Sequence, residues 1–443
     1  MAGSSSPQTV LTKQARIAEL ARQMPNKQLS TLSHHMDIEW LTEAYRGTRK
    51  SGAPGADGQT AKQYEENLQS NLLSLLNRAK TGETYRAPPV KRVYIPKGDG
   101  DAQRPIGIPT FEDKVLQRAV VMLLEPLYEQ DFRECSYGFR PGRGAHQALQ
   151  RLWDGLMEQR GGYILELDIQ SYFDSVNHAK LQELLRKRVS DGVVLRLIGK
   201  WLNAGVLEEG CVYHPENGTP QGGVISPMLA NVYLHEVLDV WFEDEVKPRL
   251  HGQAFMIRYA DDAVLVFERE HDAHRVEAVI GERFAKYGLT LHPEKTRLLK
   301  FVRPPRDGDG GNNGNFDMLG FTHYWGRSRQ GNWVVARKTS KQRFSRALRA
   351  INGFLRAHRH DPVEKQHAAL CMKLKGHYGY YGITGNLRAL ASMCYFATMR
   401  WLYWLDRRSN RHLTWARFER LLSRLPLPRP RIVHPSRPRS ANP

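Results

Sequence analysis

The chain has 443 residues, 41% hydrophobic and 25% charged, with a formal net charge of +19. That length exceeds one ordinary hydrophobic core and predicts two or three packed units. No run of eighteen apolar residues supports a membrane span, and residues 1–8 are small and polar without the apolar stretch of a secretion signal, so a cytoplasmic protein is expected.

Residues 11–50 are expected to be helical and partly basic, ending near Gly47, before the turn-rich run Gly52-Ala-Pro-Gly-Ala-Asp-Gly58. Helical pattern resumes to about Ala79. Val90 to Pro96 predicts a strand, followed by a Gly-Asp-Gly-Asp turn at 98–101 and a partner strand from Arg104 to Ile108. Thr110 with Asp113 three residues on predicts a capping box. It opens a helix whose apolar positions Leu116, Ala119, Val120, Leu123, Leu124 and Leu127 keep a 3–4 spacing. Tyr163 to Asp168 is a strand ending in an acid, and Asn177 caps the helix after it, which buries Leu181, Leu184 and Leu185. Ser226-Pro227 starts another helix, with proline at the first helical position, where its missing N–H costs nothing. Phe255 to Tyr259 and Ala263 to Phe267 flank Ala-Asp-Asp as the strands of a hairpin. Residues 303–315, rich in Pro, Gly, Asp and Asn, predict a loop and a structural break.

Beyond that break the character changes. Residues 321–443 hold 25 Lys+Arg against 4 Asp+Glu, so the whole positive excess lies there, and a local field of that size points to a nucleic acid. Five tryptophans lie in the same region (Trp325, Trp333, Trp401, Trp404, Trp415), suiting base stacking beside phosphate contact. Phe344, Leu348, Ile351 and Leu355 form one helical stripe, and Leu390, Cys394, Ala397, Trp401 and Trp404 a second. After Leu425 the Pro/Arg-rich tail is expected to be poorly ordered. The four cysteines (Cys135, Cys211, Cys371, Cys394) are far apart and form no CxxC pair, as expected of reduced thiols rather than a zinc site.

The acids carry the chemistry. Nucleotidyl transfer needs a 3′-hydroxyl deprotonated and a pyrophosphate stabilised, and two divalent ions about 3.5–4 Å apart do both. Such ions take hard oxygen ligands from rigid elements. Asp168 at a strand end and Asp261-Asp262 in a hairpin turn are of the right type, and two adjacent carboxylates among apolar strands are costly without a cation.

The surroundings of these acids resemble one family. Tyr259-Ala-Asp-Asp262 resembles the motif at the centre of the reverse transcriptase palm, and Leu165-Glu-Leu-Asp-Ile-Gln-Ser-Tyr-Phe-Asp174 the strand bearing its first catalytic acid. Gly218-Thr-Pro-Gln-Gly-Gly-Val-Ile-Ser-Pro227 is similar to the nucleotide-pocket motif, and Arg104-Pro-Ile-Gly-Ile-Pro109 to the fingers hairpin. Ser136-Tyr-Gly-Phe-Arg-Pro-Gly142 resembles a segment typical of group II intron-encoded reverse transcriptase/maturase proteins, and the likeness runs from roughly Gly52 to Trp404.

The resemblance implies an α+β right-hand polymerase, with fingers and palm around an antiparallel sheet followed by an all-helical thumb/maturase domain. The expected division is an N-terminal helical extension over 1–50, fingers over 51–160, palm over 161–325, helical thumb over 326–411 and a basic tail over 412–443, a candidate short DNA-binding segment. It implies Asp168, Asp261 and Asp262 as catalytic acids, with the Ile169 carbonyl as a further ligand of two Mg2+ ions, for which Mn2+ can substitute, while Asp174 belongs to the start of the following helix. Lys97, Arg104, Ser171, Tyr172, Phe173 and Gln221 would bind the incoming dNTP, Phe173 as a steric gate against a 2′-hydroxyl. Lys295 would support the active-site hairpin, and Phe316 to Phe321 the primer end, as one strand. Lys295, Lys373, Lys375, His377, Tyr378 and Arg400 would contact nucleic acid, the implied partners being structured intron RNA, an RNA template/DNA primer duplex and target DNA. No paired cysteines follow the thumb, so the HNH-type endonuclease of many members is not expected here. The alternative readings are a mainly RNA-binding splicing maturase, and a reverse transcriptase recruited to defence or repair.

Overall fold

A computed structural model of the chain describes residues 7–81, 84–96, 103–208, 210–213, 218, 222–307, 314–408 and 412–435. The chain divides into two compact units, one from residues 1–148 with 165–298, the other from 149–164 with 299–443.

The helical stretch expected over 11–50 is two helices, α1 (Pro7–Gln23) and α2 (Ile38–Gly47). Pro25 explains the break, because the residue before a proline avoids the helical conformation. Asp37 restarts the helix by accepting the Trp40 N–H at 3.0 Å. α3 (Ala61–Glu65) and α4 (Leu68–Thr81) follow, then the antiparallel pair β1 (Val90–Pro96) and β2 (Gln103–Ile108). The expected turn at 98–101 lies outside the described residues. α5 (Phe111–Tyr128) is the central post of the first unit, with Val115, Leu116, Ala119, Val120, Leu123, Leu124 and Leu127 fully buried. The Trp40 indole N–H donates to the Ala119 carbonyl across that packing. The expected capping box is only half formed. Thr110 caps the Asp113 N–H, but the Asp113 carboxyl turns inward to accept the Tyr85 hydroxyl at 2.6 Å.

Next come α6 (Ala145–Glu158), β3 (Gly161–Leu167), α7 (Tyr172–Ser175), α8 (His178–Arg186) and α9 (Gly192–Leu202). Asn177 caps α8 through the Lys180 N–H at 2.9 Å, as the sequence predicts. Two short strands that sequence pattern did not announce, β4 (Val206–Glu208) and β5 (Cys211–Tyr213), extend the first hairpin into a sheet of order β2-β1-β4-β5. α10 (Ser226–Leu234) begins at Ser226-Pro227 as expected and runs into a π-helical segment, His235–Val246. β6 (Ala254–Tyr259) and β7 (Asp262–Phe267) form the expected hairpin, followed by α11 (Glu270–Lys286) and β8 (Arg297–Val302). These strands form a second sheet, in the order β6-β7-β3-β8.

In the second unit, β9 (Phe316–Met318), β10 (Phe321–Arg327) and β11 (Trp333–Thr339) form a sheet in the order β11-β10-β9. Phe316 to Phe321 is therefore not one strand but a turn between two, with Leu319 and Gly320 both at positive φ. The region after 326 is likewise not all-helical. Trp333, Val335, Arg337 and Thr339 are buried at every second position of β11, and helix begins only at Lys341. α12 (Lys341–Ala357), α13 (Val363–Tyr381), α14 (Leu387–Asp406) and α15 (Trp415–Arg424) then pack around Ile351, Leu355, Leu370, Leu374, Leu390, Ala397, Trp401 and Phe418. The segment over 425–435 is docked: Leu425 and Leu427 pack on that core, and the Val433 and His434 N–H groups donate to the Gly382 carbonyl. Among the described residues no helix is long and apolar enough to cross a membrane.

Candidate active site

β3 delivers Asp168 one residue past its end. In the neighbouring hairpin Tyr259 pairs with Asp262, leaving a two-residue turn of Ala260 and Asp261. β7 lies beside β3, so the turn and the Asp168 strand end belong to adjacent strands. The electrostatics couple them. Burial, together with the Asp168 carboxylate, holds Asp261 above the usual carboxylate range, and the positive charges of Arg104 and Arg258 pull it back.

Asp168 is fixed from the other edge. Its carbonyl accepts the His292 N–H, and the Gln170 N–H donates to the Thr290 carbonyl, both at 2.8 Å, with Ile169 bridged to Leu291 between them. In such a narrow antiparallel pair the central carbonyl points away from its partner strand. The Ile169 carbonyl therefore faces away from residues 290–292, toward the edge of β3 that β7 occupies. Lys295 Nζ donates to Asp168 Oδ2 at 3.2 Å. Two carboxylates and a carbonyl, all hard oxygens on strand ends, make a donor set that fits magnesium. Asp262 is exposed and is the first residue of β7. The three aspartates do not converge on one point: among the described residues the group of three ligand-type side chains within 4.8 Å of one another is His251, His271 and Asp272, at the other end of the hairpin.

The residues expected around the nucleotide divide. Arg104 on β2 is exposed and acts electrostatically on Asp261. Ser171 is exposed at φ 46°, and Phe173 is half-buried on α7 with its ring edge-on to Tyr172. Tyr172 corrects the expectation. Its ring is 2% exposed and its hydroxyl donates to the Ala230 carbonyl at 2.8 Å, so its side chain serves the core, not a ligand. Asp174 sits in the first turn of α7. Lys97 and Gln221 lie outside the described residues. Gly222 (φ 112°) leaves no room for a side chain, since a Cβ there would lie 2.7 Å from the Gly107 carbonyl.

The second unit carries the other candidates. Lys373 and Lys375 are exposed on α13, and Lys373 Nζ lies 4.8 Å from the centre of the Phe354 ring. The Arg400 guanidinium lies 5.4 Å from the ring centres of both Phe396 and Tyr403 on α14. His377 is half-buried beside Tyr381, and burial pushes its imidazole down to about 4, so it is neutral at physiological pH. Tyr378 is 2% exposed inside the helical core and offers no surface to nucleic acid. Gly376 and Gly379 have open space where a Cβ would be.

Sequence reasoning missed the supports of the turn. Arg258, on β6, is fully buried. Its Nε and one Nη bind Asp239 in the π-helical segment, and the remaining bonds reach Asn231 Oδ1 (3.1 Å), the Ala260 carbonyl (3.0 Å) and Ser136 Oγ (2.8 Å). Residues 135–138 run along β6: Arg258 N–H donates to the Cys135 carbonyl and Tyr137 N–H to the Arg258 carbonyl. Gly138 abuts the turn so closely that a Cβ would sit 2.3 Å from the Ala260 nitrogen. Buried Gln117 on α5 accepts the Val224 N–H at 2.8 Å, holding the chain just before α10. The available signals were a charge in an apolar strand, and a glutamine beside the apolar positions of α5.

A family profile described as Reverse transcriptase (RNA-dependent DNA polymerase) matches residues 95–323. Protein YkfC of Escherichia coli (strain K12) is 35% identical over 351 residues, 71% of this chain and 88% of that protein. The Group II intron-encoded protein LtrA of Lactococcus lactis subsp. cremoris is 36% identical over 238 residues, 52% of this chain and 38% of that protein. Nuclear intron maturase 2, mitochondrial, of Arabidopsis thaliana is 28% identical over 231 residues, 44% of this chain and 30% of that protein. The chain thus spans most of YkfC and well under half of the two intron proteins.

Proposed function

This chain belongs to the reverse transcriptase family, in its group II intron-encoded reverse transcriptase/maturase branch, and from that premise we propose that it copies RNA into DNA at the Asp168–Asp261 centre. The observation that carries the reading is geometric: Asp168 at the end of β3 and half-buried Asp261 in the turn before β7 stand on adjacent strands, and the Asp168 charge helps to raise the Asp261 carboxyl. Like charges held together on rigid strand ends are stable only with a cation between or beside them. Asp168, Asp261 and the Ile169 carbonyl are the groups that would hold magnesium, with Asp262 adding negative charge at the rim. When bound, the ions would lower the pKa of the primer 3′-hydroxyl and stabilise the departing pyrophosphate. Arg104, together with Lys97, would take the triphosphate oxygens, a guanidinium doing so bidentately. Phe173 would close the space beneath the sugar at C2′. Lys295 would hold the Asp168 carboxylate in its orientation between turnovers.

The strongly basic second unit supports a further role in holding structured intron RNA, as a maturase, besides the template–primer duplex. Target DNA is then the acceptor of the copied sequence, and the four unpaired thiols suit work in the reducing cytoplasm. Primer extension on an RNA template tests the reading. Asp261→Ala should cut synthesis at least about a hundredfold, the worth of a lost metal interaction, while RNA binding stays near wild type. Full extension by that variant would refute the assignment.

A further inference from the structure

The turn that carries Asp261 is conformationally expensive. Ala260 has φ 57°, a left-handed conformation that an L residue with a Cβ adopts reluctantly. Strain of this kind persists only where surrounding structure over-determines it. Here the surrounding structure centres on one guanidinium. Arg258 reaches forward two residues along its own strand to the Ala260 carbonyl, and every other bond it makes anchors it to a different element: Asp239 in the π-helical segment, Asn231 on α10 and Ser136 in the segment beside β6. Asn231 in turn donates to the Gly138 carbonyl at 2.7 Å, and Gly138 closes the turn from outside. The π-helical winding has a use here, since π segments are rare and recur at functional sites. The Asp239 carboxylate, with no exposed surface, meets the guanidinium side-on, leaving the other Nη free to reach Ala260.

We propose that Arg258 is a positioning residue for catalysis: anchored by Asp239, Asn231 and Ser136, it grips the Ala260 carbonyl and so fixes where the Asp261 carboxylate stands relative to Asp168. The proposal rests on the polymerase reading above. It assigns Arg258 no contact with substrate or ion. Its consequence is that the metal-binding geometry is set from beneath, by a side chain that a solvent-side view of the site does not reveal.

A buried ion pair with one partner removed can unfold a protein, whereas replacing both partners with apolar residues of similar volume is commonly tolerated. The informative variant is therefore the double substitution Arg258→Met with Asp239→Leu. Asn231→Ala, which leaves the ion pair intact and removes one anchor, serves as the second variant. Thermal melting, template–primer affinity, kcat and the Mg2+ concentration for half-maximal extension are measured on the full chain. The double variant should melt cooperatively and bind template–primer like wild type, yet lose about a hundredfold in kcat, the cost of roughly 1 Å of misplacement. It should also need more Mg2+ for half-maximal rate. Asn231→Ala should show the same two changes, reduced in size. Wild-type kcat and Mg2+ requirement in whichever variant folds would overturn the proposal, and a lowered melting temperature with unchanged turnover would reduce Arg258 to a structural residue. Asp261→Ala is run alongside: if it still extends primers, the polymerase reading has failed; if it is inactive while the double variant is not, only the positioning role has.

Discussion

The two units present charge in opposite ways. Around the 260–261 turn one guanidinium is fully buried and its partners are individually specified. On α13 and α14 the cations are exposed or lean on aromatic faces, as Lys373 does on Phe354 and Arg400 on Phe396 and Tyr403. Chemistry on a phosphoryl group depends on fixed geometry, so its electrostatics are built into the fold. Holding a nucleic-acid backbone depends on charge density, which mobile side chains on a stiff helix supply as well as fixed ones.

The sharpest way to break this contrast is to exchange the deficits. Asp261→Ala or Asp168→Ala should remove turnover and spare binding, whereas Lys373→Ala with Lys375→Ala should weaken binding and spare kcat at saturating template. Filter binding and single-turnover extension, run in parallel, separate the two outcomes. If the acid variants lose RNA affinity instead, the division is wrong.

A smaller effect is expected at Gly138. Its Cβ position, 2.3 Å from the Ala260 nitrogen, leaves the turn no choice but to move, so Gly138→Ala should lower kcat by roughly tenfold to a hundredfold with little change in RNA affinity. Unaltered kcat would mean that the turn yields without consequence.

Salt dependence sharpens the other side. If about five cations of the second unit contact phosphates, log affinity should fall against log salt with a slope near −4 to −5, and the Lys373→Ala, Lys375→Ala variant should flatten it by about 2. An unchanged slope would remove those lysines from the interface.

The mildest prediction concerns stability. Burial raises the Asp113 carboxyl to about 7, against the hydrogen bond from Tyr85. Its folded pKa lies above the unfolded one, so the folded state holds the proton longer. The stability this gives is complete below the ordinary carboxylate range and drains away as pH rises toward 7, at about 1.4 kcal/mol per unit. Asp113→Asn has no proton to lose, so its melting temperature relative to wild type should be higher at pH 8 than at pH 5. A difference independent of pH would show that the carboxyl is ionised throughout.

Local chemistry was legible in the sequence wherever a residue acts on its own neighbours. Asn177 caps α8, Pro227 opens α10, and the two apolar runs flanking Ala260-Asp261-Asp262 form the hairpin they predict. What escaped was chemistry that depends on distant partners. Arg258 and Asp239 are 19 residues apart and neutralise each other only once the π-helical segment is wound beside β6. Tyr172 and Tyr378 look equally suited to a ligand or to a core, and their burial decides for the core. In β11 the every-second-residue pattern of Trp333, Val335, Arg337 and Thr339 was present but masked by arginine and lysine, because Arg337 is itself buried, donating to the Leu149 carbonyl.

The docked segment 426–435 turns two thiols into chemical reporters. Cys371 Sγ lies 4.0 Å from the Pro426 carbonyl and Cys394 Sγ 3.9 Å from that of Pro428, each thiol only partly covered. Alkylation rates at these two cysteines therefore register whether the segment is seated. Cys135, buried beside β6, labels only when the first unit unfolds, so one labelling experiment would time the lifting of the segment and the loss of the polymerase fold separately.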